Sequence, residues 1–133
     1  MLFDQAGVLT GVDRPVTCQA VGGDFFKNVP EGGDAHLLKA VLHDWPDEES
    51  IAILRSIRRA IPSHGSLLII EQSLDAGPNP ARTAFSDLNM LVAPGGRERT
   101  TAEYEALLAT AGFRLLRVVP TGTEVLLLEG VPT

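Results

Sequence analysis

Cysteine and long apolar runs are both scarce in this sequence, and each shortage excludes a class of protein. Cys18 is the single cysteine among 133 residues, so no internal disulfide framework can form. No run approaches the roughly 20 apolar residues that span a bilayer. The N-terminal stretch MLFDQAGVLTG lacks the basic start and the apolar core of a secretory signal. We therefore expect a cytoplasmic protein with no membrane partner.

Positive charge is scarce as well. The 11 Lys and Arg side chains stand against 17 Asp and Glu, which gives a net charge of −6. Nucleic-acid binding needs a clustered excess of basic side chains, and the arginines here are scattered, so we expect no nucleic-acid partner. The hydrophobic fraction of 44% and the charged fraction of 21% are ordinary for a globular protein. We expect one domain over residues 1–133.

Apolar runs of strand length alternate with helical patterns, which is typical of an α/β domain with a mostly parallel sheet. The strands are predicted at residues 1–3, 16–21, 35–42, 66–71, 114–120 and 124–130. A connection as short as residues 121–123 cannot hold a crossover helix, so the last two strands should form an antiparallel hairpin.

Three helices are predicted between these strands. One covers residues 46–61, where apolar residues recur at helical spacing, with Asp44 as its N-cap. Another covers residues 100–112, with a capping pattern at Thr100 and a glycine at its end. A third helix is indicated over residues 80–92.

Polar side chains follow four of the predicted strands, namely Asp4, Asp24, His43 and Glu71. Ligands bind at the carboxyl ends of the strands in an open α/β sheet, so these four should line one edge. Each also has an ordinary alternative. An acidic residue at such a junction often caps a helix, and a histidine there often bonds a backbone carbonyl. Asp44 in particular fits a cap.

The histidines do not predict a metal site. His36 and His43 are seven residues apart in one extended segment, which points them to opposite faces, and His64 lies in a turn. We interpret none of the three as a zinc ligand.

Four stretches, in this order, carry a resemblance to a known family. They are GGDFF, DAHLLKAVLHDWPDEESIAILRSIRRAIP, GSLLIIEQ and DLNMLVAPGGRERTTAEYEALLATAGF. Together they resemble the C-terminal catalytic domain of S-adenosylmethionine-dependent O-methyltransferases of the plant phenolic and bacterial polyketide-tailoring type. The resemblance covers almost the whole chain. It implies a class I methyltransferase sheet, which is Rossmann-like, and S-adenosylmethionine as the cofactor.

The resemblance implies roles for residues on the acceptor side. His43 corresponds to the general base that removes the proton of the acceptor hydroxyl, and Glu71 and Glu98 correspond to the carboxylates that flank it. Met90 falls near a position that packs on the substrate ring, and Asp44 lies beside the base on the substrate side. The acceptor would be a small aromatic or polyketide-like molecule.

The resemblance also implies a set of cofactor-binding residues. Asp4 corresponds to the residue that takes the ribose hydroxyls, and Asp24 with Phe25 to the pair beside the adenine. Lys39 matches a further position on the cofactor side.

These residue types suit methyl transfer to a hydroxyl. A phenol with a pKa of about 10 is mostly protonated at neutral pH, and a neutral imidazole can accept its proton as the new bond forms. A carboxylate on the other ring nitrogen, from Glu71 or Glu98, would fix the tautomer and stabilise the imidazolium. Holding donor and acceptor together supplies much of the remaining advantage, so no metal is required.

The resembled domain normally begins one βα unit earlier, with a strand and a glycine-rich turn that holds the methionine end of the cofactor. No G-x-G-x-x-G-like segment occurs in this sequence, so the predicted sheet is incomplete. The absent strand would lie centrally, between the strand ending at Asp4 and the one ending at His43, leaving two groups of strands without direct pairing. We expect either a homodimer that exchanges elements or a complementing polypeptide. The alternative functions are a non-methylating ligand-binding relative and a non-enzymatic or truncated assembly partner.

Overall fold

The structure is a computed structural model that describes residues 1–10, 18–76, 87, 90, 92 and 95–133. Within these ranges the elements are β1 Leu2–Asp4, β2 Ala20–Gly22, β3 Ala35–Lys39, the 3-10 helix Leu42–Asp44, α1 Asp47–Ala60, β4 Ser66–Gln72, α2 Thr101–Thr110, β5 Phe113–Pro120 and β6 Val125–Pro132. The start of the strand predicted at residues 16–21 and most of the helix predicted at residues 80–92 lie outside the described residues.

The described strands form two sheets. Strand β1 pairs in parallel with β2, and a four-stranded sheet has the order β3-β4-β6-β5. In that sheet β3 and β4 are parallel, while β6 is antiparallel to both β4 and β5. Strand β6 alone therefore runs against its three companions. This confirms an α/β fold whose mostly parallel sheet ends in an antiparallel hairpin.

The prediction for the third strand was wrong at its carboxyl end. Strand β3 stops at Lys39, because Ala40 has a left-handed backbone with a φ of 54°. The chain then forms the 3-10 helix that contains His43. His36 and His43 therefore do not share one extended segment, and the argument that they point to opposite faces of a strand fails.

Helix α1 follows within three residues of the 3-10 helix. Its N-cap is Pro46, which offers no side-chain hydrogen bond, so the predicted cap at Asp44 was wrong. Asp44 belongs to the preceding 3-10 helix instead. Three buried apolar side chains, Ile53, Leu54 and Ile57, fix the face of α1 that packs on the sheet.

Helix α2 has the caps that its sequence predicts. The Thr100 side chain accepts from the Glu103 N–H, and the Glu103 carboxylate accepts from the Thr100 N–H, which is a complete capping box. Gly112, just beyond the helix, has a φ of 86° that favours glycine. Both helices pack on the four-stranded sheet around one core, which includes Leu67 and Leu128. In the described ranges neither helix has the length and apolarity needed to cross a membrane.

Candidate active site

The centre of the candidate site is a contact between a histidine and a buried glutamate. His43 Nδ1 lies 2.6 Å from Glu71 Oε2. Glu71 is the second-last residue of β4 and only 1% exposed, whereas the His43 side chain keeps 19% of its surface exposed. A carboxylate can only accept, so Nδ1 carries the proton and Nε2 of the neutral ring is left as an acceptor.

The backbone around Ala40 explains how these two side chains meet. The Ala40 N–H still bonds the Ile70 carbonyl at 3.1 Å, as a continuation of the β3–β4 ladder. The left-handed turn then aims the next two N–H groups at the partner strand. Glu71 Oε1 accepts from Val41 N–H at 2.9 Å and from Leu42 N–H at 2.8 Å. Both carboxylate oxygens of Glu71 are therefore engaged, and its orientation is fixed.

The surrounding charges make His43 a stronger base. The hydrogen bond that His43 donates to Glu71 raises the pKa of His43 above its ordinary value, and the negative charges of Glu71, Asp44 and Glu98 act in the same direction against the effect of burial. Asp44 Oδ1 lies 3.3 Å from His43 Nε2. The two ring nitrogens thus each face a carboxylate, an arrangement that stabilises the imidazolium.

The other acceptor-side candidates surround this pair. Glu98 is 2% exposed and its N–H donates to Asp87 Oδ1 at 2.8 Å. Of the two glutamates, Glu71 rather than Glu98 holds Nδ1. The Met90 carbonyl accepts from the N–H groups of Gly95 and Gly96 at 3.0 and 3.1 Å. Met90 is thereby linked to the loop that packs on His43.

The predicted cofactor residues are only partly brought together. Asp4 ends β1, where its Oδ1 accepts from the Gln5 N–H at 2.7 Å. Asp24 Oδ1 accepts from Phe26 N–H at 3.0 Å, and its Oδ2 lies 3.2 Å from Lys27 Nζ.

Phe25 and Lys39 lie on different elements. Phe25 joins an aromatic cluster, with ring centroids 4.9 Å from Phe26 and 6.1 Å from Trp45. Trp45 therefore packs with core-facing rings. Lys39 is exposed at the end of β3.

A cleft of about 580 Å³ separates the two sheets. It is lined by β1, by residues of β3, by the loop 29–33 and by Ile53 and Ile57 of α1. Of the predicted cofactor residues, Asp4 and Phe25 line it, whereas Asp24 and Lys39 do not. His43 does not line it. As the sequence predicts, no ladder in the described part of the chain joins β1 to β3.

Two residues next to His43 were missed by sequence reasoning. Arg99 is fully buried, and a Cβ built on Gly96 would lie 1.9 Å from the His43 carbonyl oxygen. Both belong to the segment GGRERT, which the resemblance singled out without a role for these two positions. An arginine buried against a backbone looks no different in sequence from an exposed one.

Known proteins are similar to this chain in both sequence and fold. The O-methyltransferase domain matches residues 2–114. Phenazine O-methyltransferase PhzM of Lysobacter antibioticus is 44% identical over 139 residues, which cover 99% of this chain and 41% of that protein. O-demethylpuromycin-O-methyltransferase of Streptomyces alboniger is 46% identical over 116 residues, which cover 83% of this chain and 31% of that protein.

A solved structure shares the fold of this chain. CalO1, a methyltransferase in calicheamicin biosynthesis in its SAH-bound form, is 41% identical with a TM-score of 0.87, covering 99% of this chain and 41% of that one. The chain thus spans about two fifths of the length of the relatives that it matches most fully. Its own 133 residues are nevertheless matched almost throughout, and the chain belongs to the O-methyltransferase domain family.

Proposed function

We propose that this chain carries the catalytic base of an S-adenosylmethionine-dependent O-methyltransferase that acts on a hydroxyl of a small aromatic or polyketide-like molecule. The observation that carries the proposal is the 2.6 Å contact between His43 Nδ1 and Glu71 Oε2, which leaves Nε2, 3.3 Å from Asp44 Oδ1, as the acceptor of the neutral ring. The relative NcsB1, from neocarzinostatin biosynthesis, was solved with S-adenosylmethionine and 2-hydroxy-5-methyl naphthoic acid. That ligand is an aromatic hydroxyl compound, which supports the proposed class of acceptor.

In the proposed reaction, His43 accepts one proton with the help of the carboxylates around it. His43 Nε2 accepts the proton of the acceptor hydroxyl as the oxygen forms its bond to the methyl carbon. Glu71 holds the ring in the reactive tautomer, and the Glu71, Asp44 and Glu98 charges stabilise the imidazolium that results. When bound, the cofactor supplies the methyl group on a sulfonium, which becomes a neutral thioether as the carbon–sulfur bond breaks. We assign Met90, whose carbonyl accepts from the Gly95 and Gly96 N–H groups, to the border of the acceptor.

The residues fit the adenosine part of this cofactor. Asp4 stands at the carboxyl end of a parallel strand and lines the cleft together with Phe25. An acidic side chain at such a strand end can accept from ribose hydroxyls. Asp24 would border the adenine, and Lys39 would border the outer side of the cofactor. The methionine end has no glycine-rich cradle in these 133 residues, so we assign it to the portion of the relatives that this chain does not cover.

That uncovered portion would also fill the cleft. The bonds Ala40 N–H to Ile70 and Ser66 N–H to Asp34 show which backbone groups of β3 face β4. By the alternation of a strand, Ala35, Leu37 and Lys39 direct their backbone groups into the cleft. Leu37 is 58% exposed there. We infer that a strand from the portion of the relatives that this chain does not cover pairs with β1 and β3 in parallel.

The first test removes the base. We expect His43→Ala in the completed enzyme to lower kcat by about 10²-fold or more with little change in cofactor affinity, since a general base acts on the chemical step. Turnover and isothermal titration with S-adenosylmethionine give the two readings. His64→Ala is the matched control, because His64 lies on the surface with 73% of its side chain exposed. An unchanged kcat in His43→Ala would remove His43 from the role.

The second test supplies the missing portion. The chain is titrated with S-adenosylmethionine alone and with the uncovered part of the Lysobacter antibioticus relative, and complex formation is followed by light scattering. We expect cofactor binding and a 1:1 complex only in the second case. Leu37→Lys should weaken the complex at least tenfold, because it places a charge in the cleft. Leu116→Lys, on the far edge strand β5 and 49% exposed, should not.

Two outcomes would contradict the second proposal. A second copy of this chain filling the cleft would appear as a homodimer that Leu37→Lys dissociates. Tight cofactor binding by the lone monomer would show that no added strand is needed.

A further inference from the structure

Arg99 has no exposed surface although it carries a charge. A buried guanidinium is costly unless its N–H groups find acceptors. Its Nε and Nη2 both donate to Asp47 Oδ1, at 2.9 and 2.8 Å, which supplies one opposite charge. The remaining N–H groups have to be satisfied by neutral acceptors.

Those acceptors are the backbone carbonyls on either side of His43. Arg99 Nη1 donates to the Leu42 carbonyl at 2.9 Å, and Nη2 donates to the Trp45 carbonyl at 2.7 Å. The Arg97 N–H donates to the His43 carbonyl itself at 2.9 Å. The segment GGRERT therefore binds three carbonyls of the short stretch that holds the base.

The same stretch is bound from the opposite side by Glu71, which accepts from the N–H groups of Val41 and Leu42. A single turn of 3-10 helix has poor hydrogen bonds of its own and does not hold its shape unaided. The backbone of His43 is thus clamped between a carboxylate on its N–H side and a guanidinium on its carbonyl side.

We propose that Arg99 is a positioning residue for His43, whose guanidinium holds the 3-10 helix so that Nδ1 meets Glu71 and Nε2 faces the acceptor. Lysine cannot replace it, because an ammonium offers one point of charge where the planar fork serves Leu42, Trp45 and Asp47 at once. The effect on turnover rests on the proposed methyl transfer. The placement of the His43 ring does not depend on that proposal and can be measured in the chain itself.

The test is NMR of the histidine rings in ¹⁵N-labelled chain. Wild-type His43 should titrate above the ordinary pKa of about 6.5 with its proton on Nδ1. Arg99→Lys should move that pKa toward the ordinary value and broaden or abolish the Nδ1–H signal. Arg58→Lys is the matched control, since Arg58 also donates to two carbonyls, those of Gly112 and Thr133, away from His43.

A folded Arg99→Lys chain with the wild-type His43 titration and Nδ1–H signal would overturn the proposal. If Arg99→Lys does not fold, Ser50→Ala decides. The Ser50 hydroxyl donates to the Leu42 and Trp45 carbonyls at 3.3 and 3.2 Å and accepts from Arg99. A smaller shift of the same sign supports the proposal, and no shift overturns it. If the completed enzyme shows the normal His43 signal but no turnover, the result contradicts the proposed methyl transfer and not the positioning role of Arg99.

Discussion

The tautomer of one imidazole depends on a single oxygen of Glu71. Because Oε1 is taken by two backbone N–H groups, only Oε2 is left for His43. An oxygen there demands a proton on Nδ1, so Nε2 of the neutral ring is the nitrogen that can accept a proton.

Replacing that oxygen with a hydrogen-bond donor of the same size should therefore stop His43 Nε2 from accepting a proton without leaving a cavity. In Glu71→Gln the amide oxygen can keep the two backbone bonds while the amide nitrogen donates to Nδ1, so the proton moves to Nε2. We expect kcat of the completed enzyme to fall by about 10²-fold or more. The pKa of His43 should fall toward its ordinary value, because the hydrogen bond and charge that raise it are gone.

Long-range ¹H–¹⁵N NMR reads the tautomer directly. Glu129→Gln serves as the control, since Glu129 is a mostly buried glutamate of the neighbouring strand that pairs with Arg117 instead. A Glu71→Gln chain that retains the proton on Nδ1 would refute this account.

At this scale the sequence predicted that His43 and Glu71 would lie close together, but not how their atoms make contact. His43 and Glu71 could be named because both follow strands of one sheet, and carboxyl ends of neighbouring parallel strands meet. Which of Glu71 and Glu98 holds Nδ1 could not be predicted, since it depends on the left-handed Ala40. Arg99 could not be found at all, because burial of an arginine depends on acceptors that only the fold supplies.

Among the elements, the 3-10 helix and the loop that supports it were the ones that sequence patterns missed. Helix α2 was predicted with its caps because a capping box is a local pattern. Strand β3 was predicted too long, because residues 40–42 are as apolar as the strand before them. The periodicity of apolar residues does not reveal a change in φ at the single residue Ala40.

Close contact between the loop and the 3-10 helix predicts a strict requirement for glycine at position 96. A methyl group there would lie 1.9 Å from the His43 carbonyl oxygen and 2.5 Å from the Asp44 carbonyl carbon, both backbone atoms. Gly96→Ala should lower the free energy of unfolding by about 1–3 kcal/mol, the usual cost of overpacking. Urea unfolding followed by Trp45 fluorescence measures it.

The matched control is Gly7→Ala, where an added methyl group would meet nothing within 4 Å. Its unfolding free energy should stay within about 0.5 kcal/mol of wild type. Equal effects of the two substitutions would show that the loop does not press on the 3-10 helix.

Across the whole molecule, the two sheets are unequal. The four-stranded sheet, α1 and α2 share one core, while β1 and β2 are three-residue strands that pair only with each other in the described ranges. The separation was predicted from the absent central strand, and it follows from strand order rather than from any local pattern.

This inequality predicts a graded stability. Native-state hydrogen exchange should be slowest at the centre of β4 and β6, where Ile69 and Leu128 have no exposed surface, and fastest in β1 and β2, which can open without disturbing the main core. Adding the complementing polypeptide should slow β1 and β3 selectively. Equal protection of β1 and β4 in the lone chain would contradict the prediction.

The turn at Gly32, with a φ of 87°, lies between the two sheets in sequence. Every residue that holds His43 comes after it, in the segment 35–133. A recombination point at this turn would therefore exchange the segment with Asp4, Asp24 and Phe25, for which we propose cofactor contacts, while the segment that holds His43 passes on intact.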